Sequence, residues 1–146
     1  MGKGPNGSDK ERVKVSNQKY ISNREPLKQG DILRLVDFGQ QVGSEQSGVR
    51  PAIIVSNDVC NRVSHTITVV PITAVIKKKY IPTHVMLDSS KYGLLRESQV
   101  LCEQLRTIDK KSICEGVIAT LDKEDYQKVA SAIMTQLTNN EISNQG

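Results

Sequence analysis

The sequence predicts a mainly β, α+β fold: a small β-barrel or strongly curved sheet covered by one C-terminal helix. Five or six short runs of apolar and β-branched residues are punctuated by Gly, Pro, Asn and Asp, within roughly 110 residues. A stripe with helical period occurs only at the end of the chain. The core must also be aliphatic, since 37% of the 146 residues are hydrophobic and only 3% are aromatic.

The elements follow in order. "QGDILRLVD" gives a first strand over about Asp31–Val36, with Gly30 as punctuation. A polar glycine loop leads to Pro51, which suits the first position of a second strand, "AIIVS". "NDVCNRVSH" reads as turns. "TITVVPIT" alternates Thr66 and Thr68 with Ile67 and Val69, as a third strand does. "KKKYIP" is a charged connector, "THVML" a fourth strand, "DSSKYGLLRES" an irregular stretch and "QVLCEQLRTID" a fifth strand. Asp109 is placed to cap one helical turn at "KKSI"; Gly116 breaks it, and "VIATL" returns as a short strand.

Asp122 then stands as the N-cap of a helix, with Glu124 and Asp125 in its first turn, where carboxylates suit the helix dipole. Tyr126, Val129, Ala130, Ile133, Met134 and Leu137 form its apolar stripe. The organisation expected is a disordered basic leader over 1–28, a folded domain over 29–138 and a polar tail over 139–146. Exposed sheet edges would favour a dimer.

The net charge of +4 is not spread over the chain. Residues 1–29 carry seven Lys/Arg against three Asp/Glu, so residues 30–146 hold 13 of each sign. A basic pI is therefore no argument for a nucleic-acid surface on the folded part; the leader's charge serves solubility first. No apolar run is long enough for a membrane span or a signal peptide, which gives a cytoplasmic expectation and no membrane partner. Cys60, Cys102 and Cys114 include no Cys-x-x-Cys pair, so buried reduced thiols are expected and no metal site.

The informative stretch is "QQVGSEQSGVRPAIIVSND", which delivers Arg50 from a polar loop into an apolar strand. Gly43 and Gly48 have the spacing of a phosphate loop. However, Val49-Arg50 stand where Lys-Ser/Thr is required, and a strand follows where a helix is required. Extended backbone before Pro51 would hold the Arg50 guanidinium in place for an anion, and the structural alternative is an ion pair with Glu45 or Asp58. His65 and His84 have no nearby carboxylate to orient them as an acid–base pair, and no G-x-S-x-G elbow occurs. Lys77, Lys78 and Lys79 would be a solvated loop, or phosphate contacts beside a nucleic-acid groove.

"GSEQSGVRPAIIVSND" resembles the signature of the MazF/PemK family of toxin–antitoxin endoribonucleases, through Gly43, Glu45, Gln46, Gly48, Arg50, Pro51 and Asn57. "PIT" at Pro71–Thr73, "PTHV" at Pro82–Val85 and "EQLRTIDK" at Glu103–Lys110 follow in the same order. The matches run from about Gln29 to Leu137. The resemblance implies a Src-homology-3-like β-barrel of the MazF/PemK/CcdB toxin type, acting as a homodimer. It implies metal-independent cleavage of single-stranded mRNA at short motifs, without a cofactor, leaving 2′,3′-cyclic phosphate and 5′-hydroxyl ends.

Carried over by motif, Arg50 and Thr73 are the catalytic residues, with Glu45 a candidate proton acceptor. Ser44, Gln46 and Gln104 lie near RNA, with Lys77, Lys78 and Lys79 as further RNA contacts. The partners implied are an acidic MazE-like antitoxin peptide, and DNA only through that antitoxin. The same barrel also serves relatives that poison gyrase or bind RNA or antitoxin without cutting, and these stay open as alternatives. The resemblance assigns no role to residues 1–28, and His65 in "CNRVSHT" leaves the RNA motif open.

Overall fold

The structure, a computed structural model, describes residues 26–76 and 79–139. Among these residues seven strands form: β1 (Asp31–Asp37), β2 (Val49–Ile54), β3 (Thr66–Thr73), β4 (His84–Leu87), β5 (Ser98–Leu101), β6 (Arg106–Asp109) and β7 (Ile113–Thr120). Three helices accompany them, α1 (Asp58–Val63), α2 (Ser89–Tyr92) and α3 (Lys123–Leu137), with 3-10 turns at Cys102–Gln104 and Lys110–Ser112. The leader expected over 1–28 falls mostly outside the described residues, as does most of the polar tail. Leu27 is described and is buried in the core.

The strands are antiparallel and ordered β4-β5-β3-β2-β1-β7, with β6 on β3. β3 is the centre. One of its edges pairs with β2, from Ala52–Pro71 to Ile54–Val69. The other pairs with β6 over Thr66–Val69, then with β5 at Ile72 and Thr73. Pro71 thus sits where this second edge changes partner, a position that asks little of a residue lacking an N–H. β4 and β7 end the ladder without joining, so the sheet is strongly curved and barrel-like but open.

Both sheet faces are apolar because successive side chains alternate in direction. Ile32, Ile53, Val70 and Ile72 pack on one face with Val129 and Ala132 of α3. Leu33, Ala52, Ile54, Ile67 and Val69 form the other core with Phe38 and Ile113. Each such buried aliphatic side chain contributes about 1.5–3 kcal/mol, which is why so few aromatics suffice.

Several expectations are corrected. β2 begins at Val49, so Pro51 is its third residue and not its first. Arg50 pairs with Val36 and Ala52 with Leu33, leaving Pro51 alone against Arg34 and Leu35. That bulge in β1 tolerates the missing donor. "NDVCNRV" is helical, because Asn57 caps Cys60 N at 2.9 Å and the buried Asn61 amide donates to Ser56 O at 2.9 Å. The irregular stretch holds α2, capped by Asp88 and ended by Gly93 at φ +74°. The helical turn ends at Ser112, before Gly116, which lies inside an eight-residue β7.

The expected fifth strand is two strands, β5 and β6, divided by the Cys102–Gln104 turn. The Asp109-capped turn is present, with the Asp109 carboxylate accepting from Lys111 N at 2.7 Å. α3 also forms where its cap and stripe place it, with Asp122 accepting from Asp125 N at 2.7 Å. Its stripe is rotated, however: Val129 and the small Ala132 reach the sheet, whereas Met134 and Leu137 are exposed. Of the thiols, Cys102 is buried, Cys60 exposed and Cys114 between. No helix among the described residues is long and apolar enough to cross a membrane.

Candidate functional site

The loop between β1 and β2 is tied at its base and held in the middle. At the base, Phe38 N donates to Gly48 O and Gly48 N to Gly39 O, both at 2.9 Å. Gly43 at φ +59° and Gly48 at φ +77° take the left-handed backbone that tight reversals need, and neither is crowded. Between them Glu45 N donates to Val42 O at 3.2 Å, while Glu45 Oε1 accepts from Val42 N at 3.4 Å. Ser44 and Glu45 are exposed at the loop's tip.

Arg50 lies at the end of this loop, in β2, half-buried. Its Nε and Nη2 both donate to Ser47 O, at 3.0 and 2.7 Å. The expected ion pair is not formed: Glu45 turns to Val42, and Asp58 accepts from Gln29 N at 2.8 Å. No carboxylate among the described residues pairs with Arg50. A guanidinium has five N–H groups, so two hold the loop and three remain for an external anion.

Thr73 ends β3, buried, with its hydroxyl accepting from Val75 N at 3.1 Å. The β2–β3 pairing ends at Ala52–Pro71, and Arg50 and Thr73 each lie two residues beyond that last pair, at the same end of neighbouring strands. The base of the loop is flanked by Arg106, whose guanidinium lies 5.2 Å from the centre of the Phe38 ring. Sequence reasoning assigned Arg106 nothing, since β6 meets Phe38 only through the folded sheet.

Gln104, expected beside RNA, grips the loop itself. Its side-chain oxygen accepts from Gln46 N and its Nε2 donates to Ser44 O, each at 3.3 Å. Ser44, Glu45, Gln46, Gln104 and Arg50 thus gather on one loop, the start of β2 and one turn, with Thr73 at the end of neighbouring β3. Lys79 is exposed in the connector to β4; Lys77 and Lys78 lie outside the described residues.

Against expectation, His84 does have a carboxylate. Its Nε2 donates to Glu103 Oε2 at 2.9 Å, and Thr83 Oγ1 donates to Glu103 Oε1 at 2.9 Å. Nineteen residues separate His84 and Glu103 in sequence; β4 and the turn after β5 bring them together. Burial raises the neighbouring Cys102 thiol to about 12, helped by the negative Glu103 beside it. Among the described residues no group of three His, Cys, Asp or Glu side chains could hold a metal ion.

The chain was compared with known proteins. Residues 28–137 match the family described as PemK-like, MazF-like toxin of type II toxin–antitoxin system. Endoribonuclease EndoA of Bacillus subtilis (strain 168) is 45% identical over 111 residues, covering 76% of this chain and 94% of the relative. The crystal structure of MazF (Form-I) from Deinococcus radiodurans superposes with a TM-score of 0.67 at 25% identity, covering 78% of this chain and 98% of that one. An endoribonuclease in complex with its cognate antitoxin, from Mycobacterial species, gives 0.58 at 25% identity, over 77% of this chain and 95% of that one.

Proposed function

The chain belongs to the PemK-like, MazF-like toxin family of type II toxin–antitoxin systems, and we propose that it is the toxin of such a pair, an endoribonuclease. It cuts single-stranded mRNA at a short motif in the cytoplasm, as a homodimer, and is held in check by an acidic antitoxin peptide. Any contact with DNA comes through that antitoxin. The observation that carries the reading is Arg50. It is anchored by two hydrogen bonds to Ser47 O, lacks a carboxylate partner among the described residues, and lies like Thr73 two residues beyond the last β2–β3 pair, Ala52–Pro71. The 45% identity to a protein named endoribonuclease supports the reaction class.

The chemistry asks for no nucleophile from the protein. The ribose 2′-hydroxyl attacks the adjacent phosphorus, the P–O5′ bond breaks, and the products are a 2′,3′-cyclic phosphate and a 5′-hydroxyl. One proton leaves the 2′-oxygen and one reaches O5′. Negative charge grows on the phosphoryl oxygens, where the free N–H groups of Arg50 and the Thr73 hydroxyl act as donors. A guanidinium offers N–H donors and no acceptor, which suits that electrostatic role better than proton transfer. Glu45, exposed at the loop's tip, is the candidate acceptor for the 2′-proton. Ser44, Gln46, Gln104 and Lys79 line the path of the flanking nucleotides, with Lys77 and Lys78 as further candidate RNA contacts.

The reaction needs no metal. End-group analysis of single-stranded RNA incubated in EDTA tests this. Cyclic phosphate and 5′-hydroxyl ends at a recurring motif are expected, and 5′-phosphate ends would reject the mechanism.

A further inference from the structure

The proposed chemistry makes no use of Glu103, His84 or Thr83, yet these side chains form a polar cluster next to Gln104. Glu103 is the middle residue of the Cys102–Gln104 turn, which divides β5 from β6 and has no side-chain cap of its own. Both carboxylate oxygens are engaged, Oε1 by Thr83 Oγ1 and Oε2 by His84 Nε2, each at 2.9 Å. Cys102 N adds a third tie, donating to Thr83 O at 3.0 Å. The turn is therefore fastened to the start of β4 through the Glu103 carboxylate and the Cys102 amide.

The His84 side chain is 5% exposed, and its Nδ1 is buried without a hydrogen-bond partner among the described residues. Leaving a buried ring nitrogen unsatisfied is costly, so an imidazole used only as filler would be a poor choice. What His84 contributes is the Nε2–H donor on Glu103, since a carboxylate oxygen accepts and does not donate.

On the other side of the same turn stands Gln104, the residue that grips Ser44 and Gln46. From Gln46 the chain runs through Ser47, whose carbonyl anchors Arg50. Glu103 and Arg50 are thus joined by an unbroken series of hydrogen bonds and short backbone links. We propose that Glu103 is a positioning residue for RNA cleavage: held by Thr83 and His84, it fixes the turn from which Gln104 sets the loop that carries Arg50. Its consequence for catalysis rests on the endoribonuclease reading; its consequence for the loop does not.

The test uses the full chain with Glu103→Ala, Thr83→Val, Gln104→Ala and the Glu103→Ala/Gln104→Ala double variant. Two quantities are measured: hydrogen exchange at the Gln46 amide, and kcat and KM on an RNA with one cut site. The expected results are faster Gln46 exchange in every variant and a kcat lowered about tenfold or more by Glu103→Ala, because small displacements of catalytic groups are costly. If Glu103 acts through Gln104, the double variant falls within about threefold of the worse single one. Effects that simply multiply would overturn the proposal. So would unchanged Gln46 exchange in both Glu103→Ala and Thr83→Val, and the milder Thr83→Val supplies that result if Glu103→Ala does not fold. A wild type that cuts no RNA overturns the endoribonuclease reading alone, and the exchange experiment still decides the relay.

Discussion

The guanidinium of Arg50 donates through both Nε and Nη2 to the carbonyl of Ser47, three residues earlier, at 3.0 and 2.7 Å. One side chain thus closes its own loop and keeps its remaining N–H groups for an anion. A lysine ammonium cannot do both, being a point charge without a planar fork. Arg50→Lys is therefore expected to keep the fold but lower kcat on RNA by about 10²-fold or more, the scale for losing a transition-state donor. Circular dichroism together with steady-state cleavage checks both halves.

Gly48 joins the loop to β2 at φ +77°, with nothing within 4 Å of an added Cβ. The obstacle to Gly48→Ala is backbone strain and not a clash. A cost of about 1–2 kcal/mol is expected, seen as a lower denaturant midpoint. Cleavage should fall as well, since Gly48 N and O tie the loop's base to Gly39 and Phe38.

Asp122 caps α3 and pairs with Lys91. The Lys91 ammonium first, and the Asp125 N–H next, hold its carboxyl below the ordinary 3.8. A folded-state pKa lowered in this way gives stability that is present above the ordinary value and lost as pH falls through the folded one. Asp122→Asn keeps a cap acceptor without the charge. It should melt lower than wild type at neutral pH, and the gap should close as pH falls below the ordinary carboxylate value. A constant gap in melting curves across that range would contradict the assignment.

Burial raises the Cys102 thiol to about 12, whereas Cys60 is exposed. At pH near 8, iodoacetamide should label Cys60 first and leave Cys102 unlabelled until urea unfolds the chain, because the thiolate is the reactive form. Peptide mass spectrometry reads this directly. A thiol pKa raised by folding contributes stability below its ordinary 9.0 that is lost as pH rises through the folded value.

Strand periodicity and caps made much of the fold legible. The alternation of Thr66–Val69 and the caps at Asp109 and Asp122 lie within a few residues of what they control. Where the reading failed, the deciding partner was distant or the local signal ambiguous. "QVLCEQLRTID" is continuous in β propensity, and only the change of β3 from β6 to β5 shows why it breaks at Cys102–Gln104. Pro51 looked like a strand start because the bulge that accepts it belongs to β1. The same holds for the candidate site: motifs nominate Arg50 and Thr73, but the grip of Gln104 on Ser44 and Gln46 spans 60 and 58 residues. Neither periodicity nor spacing carries such a link, nor the one from His84 to Glu103.

The central claim is that Arg50, mounted on this loop, stabilises charge during metal-independent RNA cleavage. It is tested most directly by incubating a long single-stranded RNA in EDTA with the purified protein and with Arg50→Ala. Discrete fragments from the wild type, reduced about 10²–10³-fold in rate by the substitution, are the predicted result. Intact RNA across several substrates, from folded protein free of antitoxin, or equal cutting by Arg50→Ala, would contradict it.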